Sequence, residues 1–399
     1  MTRPLEGVRV LDLSRVLAGP SCAKALADLG ATVVKVEPPE GDLTRTAHPR
    51  IGGIPAYFAQ QNCGKRCVSI DLRHDRGRDL ALELVERSDV LVENFRPGVL
   101  DRLGLGWSAT SARNPRLVHC SISGYGSGGP ASGRRAYAPV IQAEVGYMEL
   151  VARRSGTEVR AEAVSHADLH SGFQAAIGIL AALLQRVRTG GGQHLEVSMA
   201  EVMLQATEWT AVELAGGEAG RFHVFGGANA PVLRLGDGTV VCVPGDPVVS
   251  FEAWCRAMRR PELASDEQFA TLEDRAGRRP ELLAELQAFA GSVTDFDTFE
   301  AVLSTERIAC GRVRSISDAV ADPWATDRDA LVDVGADDAP LLLPRSPFRF
   351  SAAEAGTAGR PAWQGEHNRE VLAELGYGDD DVAALVRDGV LVQRPPAGR

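Results

Sequence analysis

Three places in this chain of 399 residues carry residue types and spacings that suggest chemistry. Asp168 stands just before a long apolar helical pattern, with His166 and His170 on either side and Ser171-Gly172 following. A carboxylate there meets unpaired backbone N–H groups and the positive end of the helix dipole, which keep it ionised. An ordinary capping aspartate fits the same description, so position alone leaves both readings open. The flanking histidines suggest a His–Asp pair but read equally as local packing. The second place is Leu17-Ala18-Gly19-Pro20, after an apolar run, with Glu37 ending the next run. This is the layout of a dinucleotide site without its G-x-G-x-x-G glycines, and without them the backbone cannot approach a pyrophosphate. NAD chemistry is disfavoured on that ground, and Glu37 reads as a plain strand end. The third place, the GSGG run at 126–129, is weak alone. The cysteines at 22, 63, 67, 120, 242, 255 and 310 are odd in number and form no C-x-x-C pair. They argue for thiols in a cytoplasmic setting, without a disulfide framework or a metal site.

The elements around these residues follow from hydrophobic periodicity. Val8–Leu13, Thr32–Glu37, Cys67–Leu72, Val90–Glu93 and Leu117–Ser123 read as strands, separated by helical stretches such as Ser21–Leu29 and Gly77–Arg87. Such alternation means βαβ units and an open parallel sheet, with ligands at the carboxyl ends of its strands. After Asp168, Leu169, Phe173, Ile177, Leu180, Leu184 and Val187 recur at helical spacing until Gly190-Gly191-Gly192 stops the pattern. A strand over 194–199 and a helix over Ala200–Leu214 follow, and the Gly-rich stretch from Gly216 to Gly227 marks a boundary. A hairpin with Asp237-Gly238 at its turn opens the next segment. The chain then becomes loop-rich and finishes in a helix over Asn368–Leu375.

With 44% hydrophobic and 24% charged residues the composition is that of a soluble globular protein. No stretch reaches the roughly 18 uninterrupted apolar residues of a membrane span, and the first residues do not form a leader. A net charge of −10 disfavours nucleic acid and anionic membrane as partners. Lys24, Lys35 and Lys65 are the only lysines. That scarcity reads as a codon-usage bias, and an anionic ligand must be held by arginines.

Seven segments, in order along nearly the whole chain, resemble the class III CoA-transferases (the CaiB/BaiF family). They are PLEGVRVLDLSRVLAGPSCAKALADLGATVVKVEPPEGDLTR at 4–45, NCGKRCVSIDLR at 62–73, VENFRPGVLDRLGLG at 92–106 and SGYGSGGP at 123–130. The others are ADLHSGFQAAIGILAALLQRVRTGGGQHLEVSM at 167–199, ISDAVADPWATDRD at 316–329 and GEHNREVLAELGY at 365–377. The resemblance implies transfer of coenzyme A from an acyl-CoA to a free carboxylic acid, with Asp168 as covalent nucleophile. No permanently bound cofactor is implied, CoA being a substrate. It places CoA contacts at Leu17, Ala18, Ile70, Asp71, Leu72, Arg73, Asn94, Phe95, Arg96, Arg102 and Arg135. Leu17, Tyr137 and Ala138 would line the acyl pocket. It also implies an interlocked homodimer.

The architecture expected is a Rossmann-like α/β domain over 1–225, a smaller α+β domain over 226–325, and a return to the first domain over 326–399. Some positions depart from the family pattern. Leu17 replaces a glutamine of the formyl-CoA:oxalate members, Ala138 a frequent acid, and Pro38 an arginine. These changes imply an acid less polar than oxalate. The family also contains α-methylacyl-CoA racemases, but their histidine base would stand where this chain has Tyr137, and a phenol is a poor base near neutrality. A CoA-binding homologue without turnover is the remaining alternative.

Overall fold

The computed structural model describes residues 2–216, 230–335, 340–357 and 359–395. Its main sheet has strands β1 (Arg9–Asp12), β2 (Thr32–Glu37), β3 (Arg66–Ser69), β4 (Val90–Glu93), β5 (Val118–Ser123) and β6 (Gln193–Ser198). All neighbours pair in parallel, in the order β3-β2-β1-β4-β5-β6. This is doubly wound order, and its topological switch point falls between β1 and β4. Helices on both faces explain the unbroken Val/Leu runs of the inner strands; β4 is buried along its whole length.

The helices that matter for function are α1 (Ala18–Asp28), α2 (Asp75–Glu86), α3 (Ala138–Glu144), α4 (His166–Thr189) and α5 (Met199–Ala206). Helix α1 starts three residues earlier than expected. Pro20 falls in its first turn, where a missing N–H costs nothing. Helix α4 begins at His166, with Ser165 as its N-cap residue, so Asp168 lies inside the first turn and not before it. By length and composition α4 alone among the described helices would match a membrane span. It is instead a core helix, packed on α1, β5 and β6, with eight residues from Ala167 to Leu183 buried. The single helix expected over Ala200–Leu214 is two, because Thr207 turns extended and its hydroxyl bonds the Met203 carbonyl at 2.7 Å.

Two compact units divide the chain. The larger holds Met1–Val145, Glu162–Thr207 and Pro323–Arg399; the smaller holds Gly146–Ala161 and Glu208–Asp322. The expected boundary at 225–226 lies outside the described residues, and the smaller unit already includes Glu208. Within the smaller unit β7 (Val232–Arg234), β8 (Val240–Cys242) and β9 (Gly311–Arg312) form an antiparallel sheet over a core of Phe251, Trp254 and Phe299. The β7–β8 turn is the Asp237-Gly238 turn read from the sequence, with Gly238 at φ +89°.

The C-terminal segment carries α6 (Asn368–Leu375) and an unexpected α7 (Asp379–Arg387). It covers the β3 edge: Asn368 Oδ1 accepts from Ser69 N at 2.9 Å, and Val390 O from Asp71 N at 2.8 Å. Val371, Leu372, Val382, Leu385 and Leu391 join the core of the large unit. Covering an edge strand in this way removes a template for unwanted pairing.

Candidate active site

The turn that leaves β1 at the switch point runs from Ser14 to Leu17 and enters α1 directly. Val16 stands at φ +68°, a conformation that a β-branched residue rarely adopts. Gly19 is needed because a Cβ there would lie 2.1 Å from Ser14 Cβ. Gly172 on α4 is needed for a related reason. A Cβ at that position would meet Ser21 Oγ at 2.1 Å and Ala18 O at 2.6 Å, so α1 and α4 cross almost backbone to backbone. The crossing sets Gly172, about one helical turn beyond Asp168, against the start of α1.

Asp168 is half-buried, and its carboxylate accepts the backbone N–H of Ala138, the first residue of α3. The helix terminus, expected to keep this group ionised, meets an opposing effect. Burial dominates and lifts the carboxyl to about 6, with the Ala138 N–H opposing it only in part. Tyr57, which the sequence reading missed, stands close enough for the charge of Asp168 to act on it. Burial first, then Asp168 and Asp42, push its phenol up, so it keeps its proton as a donor. His166 and His170 stack on each other at 5.8 Å, and His166 lies 3.5 Å from Glu162.

A stability prediction follows from the raised carboxyl. The folded state binds this proton more tightly than the unfolded chain. Its contribution is therefore fully present below the unfolded value of 3.8 and is lost as pH rises through about 6. Partial solvation reduces the penalty of the charged form to roughly 1–3 kcal/mol. Asp168→Asn is expected to exceed the parent in stability by that amount at pH 7.5 and to match it near pH 4. Urea unfolding at the two pH values checks this, and an equal gain at both would sever it from titration.

The other residues expected at the site fall into distinct settings. Asp71, Leu72, Arg73 and Phe95 line one cleft at the strand ends, together with Leu13, Pro38 and Leu103. Arg73 is exposed but bound in a fork to Asp71, Nε–Oδ1 2.8 Å and Nη2–Oδ2 3.1 Å, with Glu40 at 3.6 Å. Asn94 clamps the β1–α1 turn: Arg15 N donates to Asn94 Oδ1 and Asn94 Nδ2 to Arg15 O, both at 2.8 Å. Arg96 lines a second cleft with Trp107 and with Glu93, whose carboxyl is pushed up to about 7 by burial. Arg102 lies beside Gly98, and Arg135 is exposed; neither lines these two clefts.

Two expectations need correction. The Ile70 side chain is fully buried in the core, and its backbone forms an antiparallel bridge with Leu391, so no side-chain contact with a ligand is open to it. Ala138 is also fully buried; it serves Asp168 through its N–H, and its methyl does not enlarge an open pocket. Leu17 and Ala18 are 4% and 1% exposed, so what they offer is backbone. Tyr137 is 60% exposed and precedes α3. Glu37 is taken up by Arg45 in a fork of two 2.6 Å bonds, which leaves it no role on a ribose.

All three lysines are buried, contrary to the reading of a mere compositional bias. Lys65 donates to Asp12 Oδ2, Pro20 O and Asn62 Oδ1, each at 2.9 Å, using its three donors. Lys35 donates to Ser14 O at 2.8 Å and pairs with Asp42 at 3.1 Å; Lys24 pairs with Asp28 at 2.5 Å. Lys35 and Lys65 thus hold both ends of the β1–α1 turn.

A parallel sheet wound in this order defines a doubly wound α/β fold, a class whose ligands bind across the carboxyl ends of the strands. The chain belongs to CoA-transferase family III, whose profile matches residues 5–368. It is similar to formyl-CoA:oxalate CoA-transferase of Streptomyces avermitilis, 34% identical over 98% of this chain and 100% of the relative. It is also similar to succinyl-CoA:mesaconate CoA-transferase of Haloarcula hispanica, 34% identical over 94% of this chain and 97% of the relative. The crystal structure of a CaiB/BaiF family protein from Brucella suis superposes with a TM-score of 0.81 at 34% identity, covering 94% of this chain and 100% of that one.

Proposed function

We propose that this acyl-CoA:carboxylate CoA-transferase carries the acyl group and then CoA on Asp168. The observation that carries the reading is the setting of Asp168: partly buried, lifted to about 6, touched by one N–H, and about one helical turn from Gly172, which packs on the start of α1 where the resemblance puts CoA. Such a carboxylate is still ionised at neutral pH, and partial desolvation makes it a stronger nucleophile than one in water. Asp168 attacks the donor thioester carbonyl; the acyl–oxygen bond forms, the acyl–sulfur bond breaks, and CoA leaves as thiolate. The thiolate attacks the aspartyl carbonyl of the anhydride and expels the donor acid. The acceptor carboxylate then attacks the aspartyl thioester, releasing the thiolate, which attacks the acceptor's acyl carbonyl and frees Asp168. The Tyr57 hydroxyl and the Ala138 N–H supply donors where oxyanions form.

Leu17 and Ala18 offer backbone to the pantetheine arm, and the Leu72–Phe95 cleft offers an apolar slot for adenine. Arg96, Arg102 and Arg135 are the phosphate ligands, with Arg73 joining as it shares or releases Asp71. The expected preference for an acid less polar than oxalate loses its side-chain basis here, since Leu17 and Ala138 are both buried. The protein acts in the cytoplasm, which its seven thiols support. It works as a homodimer: Phe173, Ile177, Leu184 and Val187 lie along α4 and are 53% to 82% exposed, an apolar stripe that a second copy would cover.

The test uses purified protein, a panel of acyl-CoA donors and free acids, and trapping. CoA exchange is expected with at least one pair. Donor acyl-CoA followed by hydroxylamine is expected to leave a hydroxamate on the peptide containing Asp168. A hydroxamate confined to another acidic peptide would move the nucleophile elsewhere.

A further inference from the structure

Val16 is strained, and no local feature of the turn explains why the strain persists. It is held from outside. Val16 N donates to Asp42 Oδ2 at 3.2 Å, and Ser14 N donates to Asp12 Oδ1 at 3.0 Å. The Asn94 side chain brackets Arg15 from both sides, and Lys35 reaches from the Ser14 carbonyl to Asp42. Lys35 and Asp42 side chains have no exposure at all. Asp42 is itself fixed, with its N–H on Glu37 Oε2 at 3.0 Å and its Oδ1 accepting both the N–H and the hydroxyl of Thr44. Anchors from β1, from β2 and the loop after it, and from the end of β4 therefore converge on three consecutive residues, Ser14 to Val16. Strained backbone survives only where its surroundings over-determine it, and a fixed ligand-binding loop avoids the ordering cost that a mobile one meets on binding.

We propose that Asp42, held in place by Lys35, is a positioning residue that locks Val16 in its left-handed conformation, so that the Leu17–Ala18 backbone is set for CoA before CoA arrives. This rests on the assignment of that turn to acyl-CoA. Glycine takes the same φ without strain, so Val16→Gly no longer depends on the anchor and should bind CoA at least as tightly as the parent. Asp42→Asn weakens the anchor, and valine should then relax out of the left-handed region, so that the Kd for CoA and the KM for acyl-CoA rise roughly 5- to 30-fold, the equivalent of ordering one backbone residue. The double variant Val16→Gly/Asp42→Asn should recover most of that loss, because glycine holds the conformation without the anchor. Amide hydrogen exchange at Val16–Gly19 should quicken in Asp42→Asn.

Calorimetric titration with CoA, steady-state kinetics and exchange decide the matter. Faster exchange with an unchanged Kd in Asp42→Asn overturns the proposal, and so does a double variant that binds CoA as poorly as Asp42→Asn alone. If Asp42→Asn does not fold, Asp42→Glu, which lengthens the anchor, takes its place in both comparisons. A parent protein that binds no CoA removes the function assigned to the turn instead, before any variant is compared.

Discussion

Asp168→Ala is expected to lose CoA transfer by at least about three orders of magnitude while acyl-CoA binds within a few-fold of the parent. The size follows from the role. A covalent carrier has no substitute in binding energy, since the bond it forms and breaks is the route itself. Nearby acids cannot take over: Asp42 is committed to Lys35 and Thr44, and Glu162 lies beside His166. Binding survives because none of the residues assigned to CoA stands on α4. Misfolding does not account for the loss, because truncation removes a carboxylate whose charge opposes burial. Single-turnover assays with purified, folded variant and calorimetric titration with CoA check both halves. Turnover above about one per cent of parent would rule out the two-anhydride route.

How far the sequence shows this site depends on what each feature rests upon. The parallel sheet was legible because its inner strands are apolar runs separated by helical periods, and that pattern needs no knowledge of distant contacts. Asp168 was found through its setting, yet its place in the helix was off by a turn. Ser165 takes the cap, and burial, invisible in a linear string, outweighs the dipole. Tyr57 escaped because nothing local ties it to an aspartate 111 positions away (168 − 57). Ile70 was taken for a ligand contact from its motif, but β3 register and the returning C-terminal segment turn its side chain into the core. The lysines were misread for the same reason. A buried ammonium is recognised only by its partners, and those of Lys65 lie on β1, on α1 and at Asn62.

Lys65→Met should be the most destabilising of these changes, by about 3–5 kcal/mol, because it leaves a buried charge without its partner. Asp12 and Lys65 are both wholly buried, 2.9 Å apart, on β1 and beside β3. Burial by itself would push the Asp12 carboxyl up; Lys65, then Lys35 and Ser14, hold it below the usual range. In the parent its stabilisation is thus present above the unfolded value of 3.8 and is lost only as pH falls through the lower folded value. With methionine at 65 the carboxyl rises above its unfolded value. The deficit should then be largest at neutral pH and shrink as pH approaches 4, where Asp12 takes up a proton. Asp12→Asn/Lys65→Met removes the stranded charge and keeps an acceptor for Ser14 N, so it should recover about 1 kcal/mol or more over Lys65→Met. The Pro20 and Asn62 bonds to Lys65 stay broken, so recovery is partial. Urea midpoints of the parent, the single and the double variants at pH 7.5 and pH 5 test the sequence of stabilities. A Lys65→Met protein within about 1 kcal/mol of the parent, or a double variant no better than the single, would show that this ion pair does not hold the β1–α1 turn in place.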